Sequence, residues 1–104
     1  MIETRAALDA VDAILATPGL DGIFLGPSDL SDGASVDPTS QAVDDALAHA
    51  LVRGRAAQKL VGVYATTGAR AATFLKQGFS LVAVAGGTAC LRLGAQETIK
   101  AARG

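Results

Sequence analysis

Four short apolar runs, each followed by a stretch with helical periodicity, restrict this chain to a small set of parallel α/β architectures. The runs are Met1-Ile2, Gly22 to Leu25, Leu60 to Ala65 and Leu81 to Ala85. The three longer ones are continuous rather than alternating in polarity, the pattern of a strand covered on both faces. Arg5 to Ala16 carries Leu8, Val11, Ile14 and Leu15 at helical spacing, with Thr4 placed to cap its start and Pro18-Gly19 to stop it. Gln41 to Arg53 repeats the pattern with Val43, Ala46, Leu47, Ala50 and Leu51. A third helix, Gly68 to Gln77, is expected to bury Ala71, Ala72, Phe74 and Leu75, with Thr66 and Thr67 before it as caps and Gly78 as terminator. A last helix follows Gly86-Gly87 and runs to about Arg103, while Ser28 to Ser40 reads as a long polar loop. The order is βαβαβαβα, which implies parallel strands joined by helical crossovers. Open doubly wound sheets and (β/α)8 barrels both use such units. Four units are too few to close a barrel, and a first strand of two residues, where about five are usual, suggests a chain that begins partway through a fold.

Composition narrows the class further. With 104 residues the chain is read as a single domain, 1–104, or part of one. Half the residues are apolar and only 4% aromatic, a mixture that suits tightly packed α/β layers. Nine basic residues against ten acidic leave no electrostatic footprint for nucleic acid or anionic lipid, so neither is expected as a partner. No apolar stretch approaches the roughly 20 residues of a membrane span, and no signal-peptide pattern opens the chain. A cytoplasmic location is the expectation. The single cysteine, Cys90, excludes an intrachain disulfide and a CxxC zinc site and is read as a small packing residue.

The chemistry-bearing feature is a pair of carboxylates. Glu3 and Asp29 each follow an apolar run, and in βα-repeat folds the carboxyl ends of the strands are where chemistry is done. Two carboxylates at the ends of neighbouring parallel strands make half of a divalent-metal site. Each also has a simpler reading: Asp29 as an Asx turn after Gly26-Pro27, and Glu3 as a surface charge suited to a helix start. Gly86-Gly87 is read as a tight βα turn rather than a phosphate site, in the absence of a GxGxxG or P-loop pattern. The one histidine, His49, has Asp45, Ala46 and Arg53 as its helical neighbours and is assigned to a solvated face.

Three segments together carry a resemblance. Ile2-Glu3-Thr4-Arg5-Ala6-Ala7-Leu8, Gly19 to Ser31 with its Gly26-Pro27-Ser28-Asp29-Leu30-Ser31 motif, and Gly78 to Val84 closely resemble the carboxyl-terminal part of the HpcH/HpaI aldolases, metal-dependent hydroxy-ketoacid aldolases related to the citrate lyase β-subunit. The resemblance implies a (β/α)8 TIM barrel of which this chain corresponds to strands 5–8. It implies that Glu3 and Asp29 are the protein ligands of a divalent ion, Mg²⁺ or Mn²⁺ or alternatively Co²⁺. Such an ion chelates the carboxylate and keto oxygen of pyruvate and stabilises the enolate formed in carbon–carbon cleavage. Gly26, Pro27, Ser28 and Asp29 are then the substrate-binding segment, with the Ser28 and Asp29 amides holding the substrate carboxylate and Pro27 fixing the turn. The implied partners are a pyruvate-like 2-keto acid, an aldehyde and further copies of the chain.

The departures from the family pattern matter as much. The family's Arg and His come from the first half of the barrel and have no counterpart here, and its Gly-Ser-Asp after the last strand is Ala85-Gly86-Gly87. Catalytic residues are therefore not assigned, and Arg70 is the first to inspect for an electrophilic role. Two functions compete: a carbon–carbon lyase of the metal-dependent aldolase type, present as its carboxyl-terminal half, and a non-catalytic half-barrel that associates with itself or another chain because its sheet edges and inner face are unpaired.

Overall fold

The computed structural model describes residues 1–32 and 37–104. Its elements are α1 (Arg5–Asp9), α2 (Val11–Leu15), β1 (Gly22–Leu25), α3 (Pro27–Asp32), α4 (Gln41–Ala56), β2 (Leu60–Ala65), α5 (Gly68–Gln77), β3 (Leu81–Val84) and α6 (Gly87–Arg103). The strands lie in the order β1-β2-β3, parallel throughout, with Gly22 to Leu25 paired to Leu60 to Val63 and Gly62 to Ala65 paired to Leu81 to Val84. Ile2 adds a fourth position beside Leu25 as a parallel bridge, its N–H donating to Phe24 O at 2.8 Å and its carbonyl accepting from Gly26 N at 3.1 Å. Neighbours in sequence are thus neighbours in space with no reversal of order, the winding of a βα barrel.

One face of the sheet is dry. Val61, Val63 and Ala65 of β2 are buried together with Ile23 and Leu25 of β1, and Leu8, Val11, Leu15, Val43, Leu47, Ala50 and Phe74 from the helices complete that core. The opposite face is open, with Leu60 63% and Leu81 62% exposed. Helices on one face only separate this fold from a doubly wound sheet. At the amino ends of the strands the open face forms an apolar concavity of about 610 Å³ bordered by Phe24, Leu60 and Leu81.

Local chemistry accounts for the element ends. The Thr4, Ser40 and Thr67 hydroxyls accept from the N–H groups of Ala7, Val43 and Arg70 at the starts of α1, α4 and α5, and Gly78 ends α5 at φ 102° in the left-handed region. Gly54 lets α4 lie close on the sheet, because a Cβ there would sit 2.3 Å from Val61 Cγ2. Val61 is fully buried and β-branched, so it has nowhere to turn. Gly54→Ala is therefore expected to destabilise by about 1–2 kcal/mol, overpacking outweighing alanine's better helix propensity. A urea midpoint shifted upward instead would show that α4 is free to slide.

The structure corrects several sequence expectations. The helix expected over Arg5 to Ala16 is divided at Ala10 (φ −95°, ψ 12°), although Ala10 N–H still donates to Ala6 O and Ile14 N–H to Ala10 O. The polar loop expected from Ser28 begins as helix α3, and residues 33–36 of that loop lie outside the described residues. In α5 only Ala71 and Phe74 are buried; Ala72 is exposed and Leu75 is 57% exposed. Cys90 is exposed on α6 rather than a packing residue. The exposure of Cys90 belongs to its whole helix. Helix α6 buries none of its residues, its apolar Leu91, Leu93 and Ile99 face solvent, and Val84 beside it on β3 is 48% exposed. A radius of gyration of 16.1 Å and a long axis of 56 Å record this extension, against about 13 Å expected for a compact chain of this length. Among the described residues no helix is long and apolar enough to cross a membrane.

Candidate functional site at the carboxyl ends of the strands

Glu3 and Asp29 reach the same place by different routes. The Ile2 bridge lays Met1 to Glu3 along the edge of β1, so Glu3 leaves the sheet at the level of Gly26. Asp29 lies in the first turn of α3, which starts at Pro27 directly after β1, and Leu30 N–H donates to Gly26 O at 3.1 Å. Proline suits that first helical position because its missing N–H has no partner there and its φ is already helical. A carboxylate in the first turn complements the positive end of the helix.

Gly26 is the pivot. A Cβ added there would lie 3.3 Å from Glu3 Cγ, 3.4 Å from Asp29 Oδ2 and 3.8 Å from Glu3 Oε1. The two carboxylates thus border one bare α-carbon, Glu3 half-buried and Asp29 exposed. Among the described residues neither is held in an ion pair; the three pairs are Arg5 with Asp9, Arg53 with Asp12 and Arg70 with Asp44. Two carboxylates on a cradle kept open by glycine offer an oxygen-only donor set, which suits a hard divalent cation that fills its other positions with water or substrate. No group of three or more His, Cys, Asp or Glu side chains forms a fuller metal cage among the described residues.

Ser28 is half-buried, and Gly26 and Pro27 are buried, which places all four residues of the expected substrate-binding segment at this corner. The other polar side chains inspected do not join it. The Arg70 guanidinium is bound by both carboxylate oxygens of Asp44 and lies 4.8 Å over the Phe74 ring, a clamp between α4 and α5. His49 is exposed on α4. Tyr64 escaped the sequence reading because it sits inside an apolar run. Its signal is the spacing Leu60, Gly62, Tyr64, which puts it on the open face of β2 while Val61 and Val63 face the helices.

Consecutive parallel strands, helices on one side only and carboxylates at the strands' carboxyl ends define a segment of a βα barrel. The HpcH/HpaI aldolase/citrate lyase family model matches residues 1–92, and the chain belongs to that family. It is 40% identical over 107 residues to a hydroxypyruvate/pyruvate aldolase of Rhizorhabdus wittichii, covering 99% of this chain and 43% of that protein. Over 97 residues it is 40% identical to a 4-hydroxy-2-oxo-heptane-1,7-dioate aldolase of Salmonella arizonae, covering 91% of this chain and 37% of the relative. The crystal structure of an HpcH/HpaI aldolase/citrate lyase family protein from Burkholderia cenocepacia superposes with a TM-score of 0.93 at 30% identity, covering 99% of this chain and 41% of that one. The chain spans about two fifths of the length of these relatives. The superposition includes α6, so its extended position is shared with that structure.

Proposed function

We propose that the chain is the metal-binding half of an aldolase barrel, a carbon–carbon lyase acting on pyruvate-derived 2-keto acids with an aldehyde as the second reactant. The observation that carries this reading is the convergence of Glu3 and Asp29 beside Gly26 at the carboxyl ends of adjacent parallel strands. Glu3 and Asp29 would hold a divalent cation, Mg²⁺ or Mn²⁺ by the hardness of the donor set. Bound there, the ion supplies Lewis-acid stabilisation of the negative charge that develops on a keto oxygen. The residues of this chain do the positioning. Pro27 fixes the turn into α3, and the amides of Ser28 and Asp29 in its first turn point from the helix's positive end toward a substrate carboxylate. The names of the relatives support a keto acid substrate, in one case a 4-hydroxy-2-oxo acid.

Proton transfer is what the described site lacks. Arg70 is held by Asp44, and His49 stands on the solvated face of α4, so no base or electrophile has been assigned beside the carboxylates. A positioned acid–base group contributes about 10²–10⁴-fold, and the chain alone is expected to show only slow, metal-dependent exchange of pyruvate methyl protons. Proton magnetic resonance in D₂O with Mg²⁺ checks this. Exchange that survives Glu3→Ala would remove the carboxylate pair from the chemistry.

Association belongs to the same reading. The apolar side chains of α6, the exposed Val84 and the open sheet face are surfaces that a second chain can cover. Sedimentation is expected to give an oligomer at micromolar concentration, and a cooperatively unfolding monomer would refute it.

A further inference from the structure

We propose that Tyr64 is a specificity-determining residue, its phenol hydrogen-bonding a hydroxyl that the substrate carries beyond its keto group. The inference rests on the keto acid reading above and deepens it. Three observations place Tyr64 at the site. Strand pairing sets Leu25 against Val63, so Gly26 and Tyr64 are the next positions on adjacent strands and lie at one level of the sheet. Alternation along β2 puts Tyr64 on the same face as Gly62, the open face on which a Cβ at Gly62 would meet Phe24 and Leu81 side chains. The Tyr64 hydroxyl reaches toward the turn after β3, 3.9 Å from where a Cβ at Gly86 would sit.

The chemistry of that face makes the hydroxyl informative. The side chains that β1, β2 and β3 turn to it are those of Phe24, Leu60, Tyr64, Leu81 and Ala83, with Gly22 and Gly62 contributing none. Tyr64 thus provides the sole polar atom among them. A keto acid held by its carboxylate and keto oxygen at the Glu3–Asp29 corner would extend its remaining carbons across β2 toward Gly86. The first polar partner it meets there is the phenol, which can both donate and accept. Ala85 at φ 54° and the bare Gly86-Gly87 keep the turn beyond it free of competing polar side chains.

The test compares two probes that differ by one hydroxyl, 4-hydroxy-2-oxopentanoate and 2-oxopentanoate, titrated into the Mn²⁺-loaded full chain by calorimetry. Wild type is expected to favour the hydroxylated probe, and Tyr64→Phe to reduce that preference about tenfold, the equivalent of one hydrogen bond lost. Mn²⁺ affinity, 2-oxopentanoate affinity and melting temperature are expected to stay unchanged, which a merely structural role for the phenol would not allow. A preference altered by less than twofold, or an equal weakening of both probes, overturns the assignment and leaves the carboxylate site standing. Failure of Glu3 and Asp29 to bind Mn²⁺ at all overturns the metal site and the Tyr64 role together.

Discussion

Asp29→Ala is expected to weaken Mn²⁺ binding by at least about a hundredfold while leaving the fold nearly untouched. Residues that only orient a metal ligand are worth about 10–100-fold in affinity, and here one of the two proposed carboxylate ligands is removed outright. The structural cost is small because Asp29 is exposed and in no ion pair among the described residues. Its loss forfeits only a favourable interaction with the start of α3, about 0.3–1 kcal/mol. Mn²⁺ electron paramagnetic resonance of free ion against protein concentration measures the affinity, and circular dichroism checks the fold. Equal Mn²⁺ affinity in wild type and variant would reduce Asp29 to a turn residue.

Leu25→Ala is expected to produce the largest loss of stability. Leu25 is completely buried and pairs with Val63 on one side and with Ile2 on the other. Truncation removes apolar contact and leaves a cavity against a stiff, β-branched core, at a cost of about 2–5 kcal/mol. A small domain has only about 5–15 kcal/mol in total, and a sheet with one wet face belongs at the lower end. The loss should also reach the site, because the strand edge that Leu25 anchors is what directs Glu3. Urea unfolding gives the first effect, and Mn²⁺ titration below the unfolding transition gives the second. Stability within about 1 kcal/mol of wild type would mean that the surrounding side chains close the cavity, contrary to the usual range.

Much of this architecture was legible in the chain itself. Apolar runs at Gly22, Leu60 and Leu81 became strands within a residue or two of their expected limits, and Gln41 and Gly68 open helices where the patterns begin. These features are local: a continuous apolar run, a Thr or Ser cap and a terminating Gly act within one turn or one strand. The spacing of Glu3 and Asp29 was informative for a related reason. In a parallel βα unit one crossover returns the chain to the same end of the sheet, so residues just past successive strands are neighbours.

The remainder needed tertiary structure. Helix α3 was hidden because Pro27, Ser28 and Asp29 also suit a turn, and only its place after β1, with Leu30 N–H bonded to Gly26 O, decides for a helix. Leu75 and Cys90 were expected to be inside because apolar and small residues favour cores, yet burial depends on which element arrives to cover them. Leu75 is 57% exposed on α5, and α6, which carries Cys90, buries none of its residues. Tyr64 shows the same division most clearly. The chain alone determined that it stands in a strand, through the local pattern from Leu60 to Ala65. Only the register of β2 against β1 decided that it stands on the open face at the level of Gly26, its hydroxyl toward the turn at Gly86, rather than on the helix side, because a strand's two faces are chemically distinguished by what packs on them and not by the strand itself.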